Sequence, residues 1–189
     1  MKTEKWTLAK TAIVSALIGL SCLGTLLIRI PIPATTGYFN LGDVFVVLAG
    51  LWLGPLGGFL VGSIGPTIAD AIGFPQFIPA TFITKGLEGL IVGVIAGGFS
   101  PYSLNRRTIG AFAGGLTVVV GYFVFEAYIY PALGQYVPFF AVTDLAAAIV
   151  EVIPNLIQGV IGAVGGLALW KSVSGFDPNK TRESANENR

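Results

Sequence analysis

The chain has 189 residues, 53% of them hydrophobic and 11% charged, with a net charge of +1 and a mean hydropathy of +0.78. Such a composition excludes an ordinary water-soluble domain, and a charge this close to neutral gives no basis for a nucleic-acid surface. Histidine is absent and Cys22 is the single cysteine, which excludes disulfide frameworks, most zinc and haem sites and every histidine-based triad, so no metal or cofactor is expected.

A bilayer core about 30 Å thick takes roughly 20 apolar residues per helical crossing, so this length suits an all-α integral membrane protein, a compact bundle of six transmembrane helices. The apolar blocks place helices at 6–28, 41–54, 55–73, 79–99, 108–130 and 143–171. The first has the basic flanks of a signal peptide but no small-residue cleavage site, and reads as a retained helix. The second is too short to cross untilted, and the break Gly54-Pro55-Leu56-Gly57-Gly58 turns the chain directly into the third, predicting a tight hairpin. Segments 29–40 and 131–142 are longer connections marked by Pro31, Pro33, Pro131 and Pro138. Residues 1–172 then form the membrane domain and 173–189 a polar cytoplasmic tail.

With a cytoplasmic N-terminus, six crossings put Lys2, Lys5, Lys10, Arg106, Arg107, Lys171, Lys180, Arg182 and Arg189 inside and Arg29 outside. The positive-inside rule therefore predicts both termini in the cytoplasm. Glycines recur at four-residue spacing, as in Gly58/Gly62, Gly89/Gly93/Gly97, Gly110/Gly114 and Gly162/Gly166, the pattern of closely packed helices.

Each ionisable side chain inside a membrane helix costs roughly 2.5–3.5 kcal/mol, so it needs a partner or a function. Lys85, Glu88, Glu126 and Glu151 are the clear cases. Counting about 1.5 Å per residue from the helix ends puts Lys85 about 9 Å and Glu151 about 12 Å below the outer surface. Glu88 lies a turn deeper than Lys85, and Glu126 a turn inside the outer end of its helix. Asn155 and Gln158 follow Glu151 at i+4 and i+7 on one face. Asp43 and Asp70 also fall near outer helix ends. This one-sided polarity predicts a pocket open to the exterior, not a conduit through both leaflets. Pro154 frees the carbonyl of Val150, which could point at a ligand. Plainer readings compete: Lys85 and Glu88 as a self-neutralising i,i+3 pair, Glu151, Asn155 and Gln158 as helix-to-helix hydrogen bonds, and Asp43 as a helix N-cap in competition with Asn40.

Aromatic residues gather at the same level, among them Tyr38, Phe39, Phe74, Phe77, Phe82, Tyr122, Phe123, Tyr128 and Tyr130. Much of this is an interfacial belt, but rings beside amides and carboxylates suit a flat, hydrogen-bonding heteroaromatic ligand of vitamin size. No phosphate-binding Gly-x-x-x-x-Gly-Lys-Ser/Thr loop occurs, so uphill transport needs a partner. A membrane enzyme is disfavoured because no nucleophile stands beside a base, and a self-sufficient secondary transporter because the halves do not repeat.

The run Tyr38-Phe39-Asn40-Leu41-Gly42-Asp43, the hairpin Leu51-Trp52-Leu53-Gly54-Pro55-Leu56-Gly57-Gly58, the stretch through Asp70, and Phe82-Ile83-Thr84-Lys85-Gly86-Leu87-Glu88-Gly89 together resemble the S components of energy-coupling factor (ECF) vitamin transporters. The likeness is to the riboflavin, hydroxymethylpyrimidine and pyridoxine branch and spans most of residues 8–170. It implies a substrate-binding subunit of the bacterial plasma membrane, not an enzyme, that captures one micronutrient and docks on a membrane coupling subunit (EcfT type) carrying two ATPase subunits. It also implies that the segment 29–40 closes over the ligand. The family's docking signature, Ala-x-x-x-Ala on the first helix, is matched by Ala12 and Ala16. Tyr38, Asn40, Asp43, Asp70, Lys85, Glu88, Glu126, Glu151, Asn155 and Gln158 are the candidate substrate-binding residues. Three intramembrane acids against one lysine favour a small neutral or weakly basic pyrimidine or pyridine vitamin, with riboflavin as the alternative.

Overall fold

The computed structural model describes residues 8–32, 37–97, 104–140 and 143–175. The expectations for Lys2, Lys5, Trp6, Pro33, Lys180, Arg182, Arg189 and most of the polar tail lie outside these residues. Helix α1 (Leu8–Leu27) leads into a two-stranded antiparallel hairpin, β1 (Ile30–Ile32) with β2 (Gly37–Phe39), in register Ile30 to Phe39 and Ile32 to Gly37. Helix α2 (Asp43–Ala71) and a 3₁₀ turn (Pro75–Phe77) precede α3 (Ile78–Ala96). Helix α4 (Leu104–Val124) continues through a π turn (Phe125–Ile129) into the short α5 (Tyr130–Gly134). A second 3₁₀ turn (Pro138–Phe140) and α6 (Leu145–Val173) complete the described chain.

Among the described residues five helical segments are long and apolar enough to cross a membrane: Leu8–Leu27, Asp43–Ala71, Pro75–Ala96, Leu104–Gly134 and Leu145–Val173. Six were expected; the difference lies at α2, where the two anticipated helices run on without a loop. They are nevertheless folded against each other. Gly54 takes φ 79° and ψ −169°, a conformation open to glycine, and Pro55 follows it as the first residue of the second arm. A Cβ on Gly58 would sit 2.9 Å from the Gly50 Cα, and one on Gly62 3.0 Å from Val46 Cγ1. In a straight helix residues 46 and 62 would stand about 24 Å apart. The hairpin is thus present, but its first arm, 43–53, rises only about 16 Å and is short for a crossing. The strand pair is an addition, since 29–40 reads from sequence only as a longer connection marked by Pro31 and Pro33. Ile30, Pro31 and Ile32 facing Gly37, Tyr38 and Phe39 suffice for a short ladder.

The spaced glycines are where the helices touch. A Cβ on Gly58 would meet the Gly89 carbonyl oxygen at 2.2 Å and one on Gly89 the Gly58 oxygen at 2.1 Å, so α2 and α3 meet backbone to backbone. Gly115 and Gly159 do the same between α4 and α6, each 2.7 Å from the other's carbonyl oxygen. Val46, Val47, Ala49, Leu51, Val61 and Val92 are fully buried, while Leu116, Val120, Ile149, Ile153 and Val164 are more than half exposed, an outer surface suited to hydrocarbon. At the end that holds Gly54 and Gly97, Arg107 donates to the Leu51 carbonyl at 3.2 Å and stacks on Trp170 at 4.3 Å. Arg107, Trp170 and the buried Lys10 lie at the end away from the β hairpin.

Candidate binding cavity

The hairpin, the C-terminal ends of α1 and α2, the N-terminal ends of α3 and α6 and the π turn converge at one end of the molecule. Between them lies a cavity of about 30 Å³, room for about two waters. Its wall holds Thr25, Gly37, Tyr38, Asn40, Pro66, Asp70, Phe77, Thr81, Lys85, Tyr122, Glu126, Glu151, Asn155 and Gln158. Eight of the ten candidate residues stand on it. Asp43 and Glu88 do not: they lie behind the wall, 1% and 0% exposed.

The local folding explains the placements. Pro131 has no N–H and would crowd the carbonyl of Ala127 in a regular helix, and the chain answers by widening to a π turn, closed by the Tyr130 N–H on the Phe125 carbonyl. Glu126, on that turn, reaches the wall. Asp144 caps α6, its Oδ1 accepting from the Ala147 N–H at 2.8 Å, and α6 then carries Glu151, Asn155 and Gln158 inward on one buried face. Asn40 makes the turn before α2, its Oδ1 accepting from the Gly42 N–H at 2.9 Å and the Thr25 hydroxyl at 3.4 Å.

Asp43 is not the N-cap of α2; that position is Gly42, and no side chain caps it. Instead Asp43 Oδ1 pairs with Lys85 Nζ at 2.5 Å and its Oδ2 accepts from Gln158 Nε2 at 2.9 Å. The expected pairing of Lys85 with Glu88 is the longer one, 3.9 Å, and both Glu88 oxygens are without a hydrogen-bond partner among the described residues. The reason is geometric: the hairpin lays the start of α2 beside α3, which brings a carboxylate closer to Lys85 than its own i+3 neighbour. Gln158 is also committed, since its Oε1 accepts from the Asn40 N–H at 2.8 Å. One amide thereby ties α6 to both the hairpin and α2. Among the described residues Asn155 reaches only Glu151, its Nδ2 donating to Oε2 at 3.4 Å, and keeps hydrogen-bonding capacity toward the cavity.

The hairpin is tied to the end of α2. The Tyr38 hydroxyl donates to Asp70, and its ring lies 4.6 Å from that of Phe74. Burial, reinforced by the Asp70 carboxylate, holds the Tyr38 phenol well above its usual range, so it remains a donor. The Arg29 guanidinium sits 4.9 Å from the Tyr38 ring centre and 5.2 Å from that of Phe74, and donates to the carbonyls of Ala69 at 2.6 Å and Thr25 at 3.3 Å. Across the cavity the Thr81 and Tyr122 hydroxyls bond at 2.9 Å, and Lys85 Nζ lies 5.4 Å from the Tyr122 ring. Thr25 and Thr81 were missed as wall residues. A threonine in a membrane helix carries no cost large enough to mark it. At the far end Ala12 and Ala16 lie on an exposed face of α1, and a Cβ on Gly19, one turn on, would meet nothing within 4 Å.

Among families of known proteins, the one described as ECF-type riboflavin transporter, S component, matches residues 3–174. A curated protein of Pyrococcus woesei, described as an uncharacterized protein in the gap 3'region, is 39% identical over 135 residues, covering 71% of this chain and 86% of that protein.

Proposed function

The chain belongs to the ECF-type riboflavin transporter S-component family, and on that premise we propose that it is the high-affinity substrate-binding subunit of an ATP-driven micronutrient importer. S components are transporter subunits that work with membrane and ATPase subunits and bind vitamin-like ligands. The substrate proposed for this chain is a small pyrimidine or pyridine vitamin or precursor, of hydroxymethylpyrimidine or pyridoxine type. The observation that carries this reading is the cavity itself, whose wall combines the aromatic side chains of Phe77 and Tyr122 with Asn155, Thr81 and three carboxyl groups. Riboflavin is the second reading, favoured by the description of the matching family.

In this reading both arms of α2 count as passes, giving six with both termini in the cytoplasm, and the cavity opens to the exterior of the cell membrane. The β hairpin, tied down through Tyr38 and Asp70, is in this reading the part that swings away as a ligand enters. The exposed stripe of Ala12, Ala16 and Gly19 lies at the opposite end and offers the coupling subunit a surface for close helix approach.

Calorimetric titration of the purified protein against hydroxymethylpyrimidine, pyridoxine and riboflavin tests the reading. Saturable one-to-one binding of one of them is expected. Asn155→Leu should weaken it by about 1–3 kcal/mol, because a ligand group is left unpaired in a buried site. Absence of binding to all three would overturn the assignment.

A further inference from the structure

A second hollow lies away from the polar cavity, on the flank of the bundle between α3 and α4, with a volume of about 550 Å³. Its floor is made by Ala113, Thr117 and Gly121, one turn apart on α4 and half-buried. Its rims are the branched side chains of Ile83 and Leu87 on α3 and of Leu116, Val120 and Val124 on α4, all 39–57% exposed. Thr117 donates its hydroxyl to the Ala113 carbonyl of its own helix at 2.8 Å. The Thr84 hydroxyl is buried beneath Gly121, where an added Cβ would lie 2.7 Å from it. An occupant of the groove therefore meets hydrocarbon almost throughout.

The shape narrows what that occupant is. α3 and α4 are in contact at Gly121 with Thr84 and again at Gly110, where an added Cβ would lie 3.1 Å from the Val92 carbonyl oxygen. A third helix, about 10 Å across, can rest on the rims of a crevice between two helices in contact but leaves the floor unfilled. A chain of methylenes, whose carbons make contact at about 4 Å, reaches the floor. The lining runs from Ile83 to Ile91 on α3 and from Ala113 to Phe125 on α4 and the π turn, about 12 and 18 Å. Half of a bilayer core, the depth of one leaflet, is about 15 Å. Tyr128, 61% exposed, stands about one turn beyond Phe125 at the end of the β hairpin, a ring placed for the headgroup level. The groove opens sideways onto the apolar surface of the spans, so its occupant arrives from the membrane and not from water.

We propose that this groove is a binding site for one hydrocarbon chain of a membrane lipid, drawn from the leaflet on the β-hairpin side. Inside a bilayer no hydrophobic gain accompanies such binding, and the preference comes from packing: a chain between the rims is touched on both flanks and from beneath, whereas a chain on the convex face of α6 is touched from one side. The upper end of the bound chain lies against Phe125, the residue before Glu126, and so backs the π turn from the lipid side.

The test uses the purified full chain in phosphatidylcholine vesicles that carry a trace of phosphatidylcholine with a photoactivatable diazirine in mid-chain. After illumination, peptide mass spectrometry should find about fivefold more label per residue in 83–91 and 113–125 than at Ile149, Ile153 and Val164 of α6, which are more than half exposed. Thr117→Leu and Ala113→Leu each put a branched side chain on the floor and should bring the groove down to the α6 level, while Ile153→Leu leaves its labelling unchanged. Even labelling of the two surfaces in the parent chain would overturn the inference, whatever the variants do, so a variant that fails to fold does not decide the matter. Groove labelling that persists in both floor variants, with melting temperatures like the parent's, would overturn it as well. Labelling of the groove below the α6 level, together with cross-linked dimers, would show that a second copy of the chain covers it in place of lipid.

Discussion

Lys85 sets the electrostatics of the bundle centre. It is 1% exposed and joined to Asp43, which is equally buried, so neither charge can be removed alone without stranding the other. Lys85→Met is expected to cost about 3–5 kcal/mol in detergent-solubilised protein followed by thermal unfolding, and Asp43→Asn in the same chain should restore most of it. If the double variant were no more stable than the single, Glu88 would be the partner that matters. Tyr38 makes a kinetic prediction. Tyr38→Phe keeps the ring against Phe74 and Arg29 but loses the hydroxyl bond to Asp70, worth about 1 kcal/mol. Ligand release should then speed up about fivefold in stopped-flow dilution while association changes little.

At the scale of elements, stability depends on backbone approach at glycines. At Gly89 a Cβ would sit 2.1 Å from a carbonyl oxygen that belongs to another helix and cannot yield, whereas at Gly19 it would meet open space. Gly89→Ala should therefore destabilise by more than about 2 kcal/mol, and Gly19→Ala should stay within about 0.5 kcal/mol of the parent, both read by thermal melting of the purified protein. Comparable losses at the two positions would mean that helix propensity, and not helix contact, governs both. The π turn belongs to the same scale, since Pro131 forces the wider register that carries Glu126 to the cavity wall.

At the scale of the molecule, the proposal separates a binding end from a docking end. Ala16→Trp should leave ligand affinity unchanged, because Ala16 is exposed and lies more than two turns from Thr25 on the cavity wall, but abolish co-purification with the coupling subunit and uptake in cells. Loss of binding with assembly intact would reverse the two ends. Topology can be read directly in a Cys22→Ser background. A membrane-impermeant thiol reagent should label Tyr136→Cys, where the parent residue is 85% exposed at the hairpin end, in intact cells. It should reach Arg106→Cys, at the other end, only after permeabilisation.

That the chain is a helical membrane protein is legible before any tertiary contact forms, because hydropathy over a bilayer's thickness is a local property, and the long apolar blocks are helical among the described residues. So are the residues that have to be accounted for, since a charge in hydrocarbon is costly wherever the chain goes, and Lys85, Glu126 and Glu151 all stand on the cavity wall. Partnership follows from how the helices pack. The Gly54 turn brings Asp43 beside Lys85, 42 residues away in the chain, ahead of Glu88, and the docking of α6 spends the Gln158 amide on Asn40 and Asp43, while Asn155 on the cavity wall donates to Glu151 alone among the described residues. Both outcomes depend on short-range contacts, and a hydrogen bond between residues so far apart exists only once the helices between them have packed.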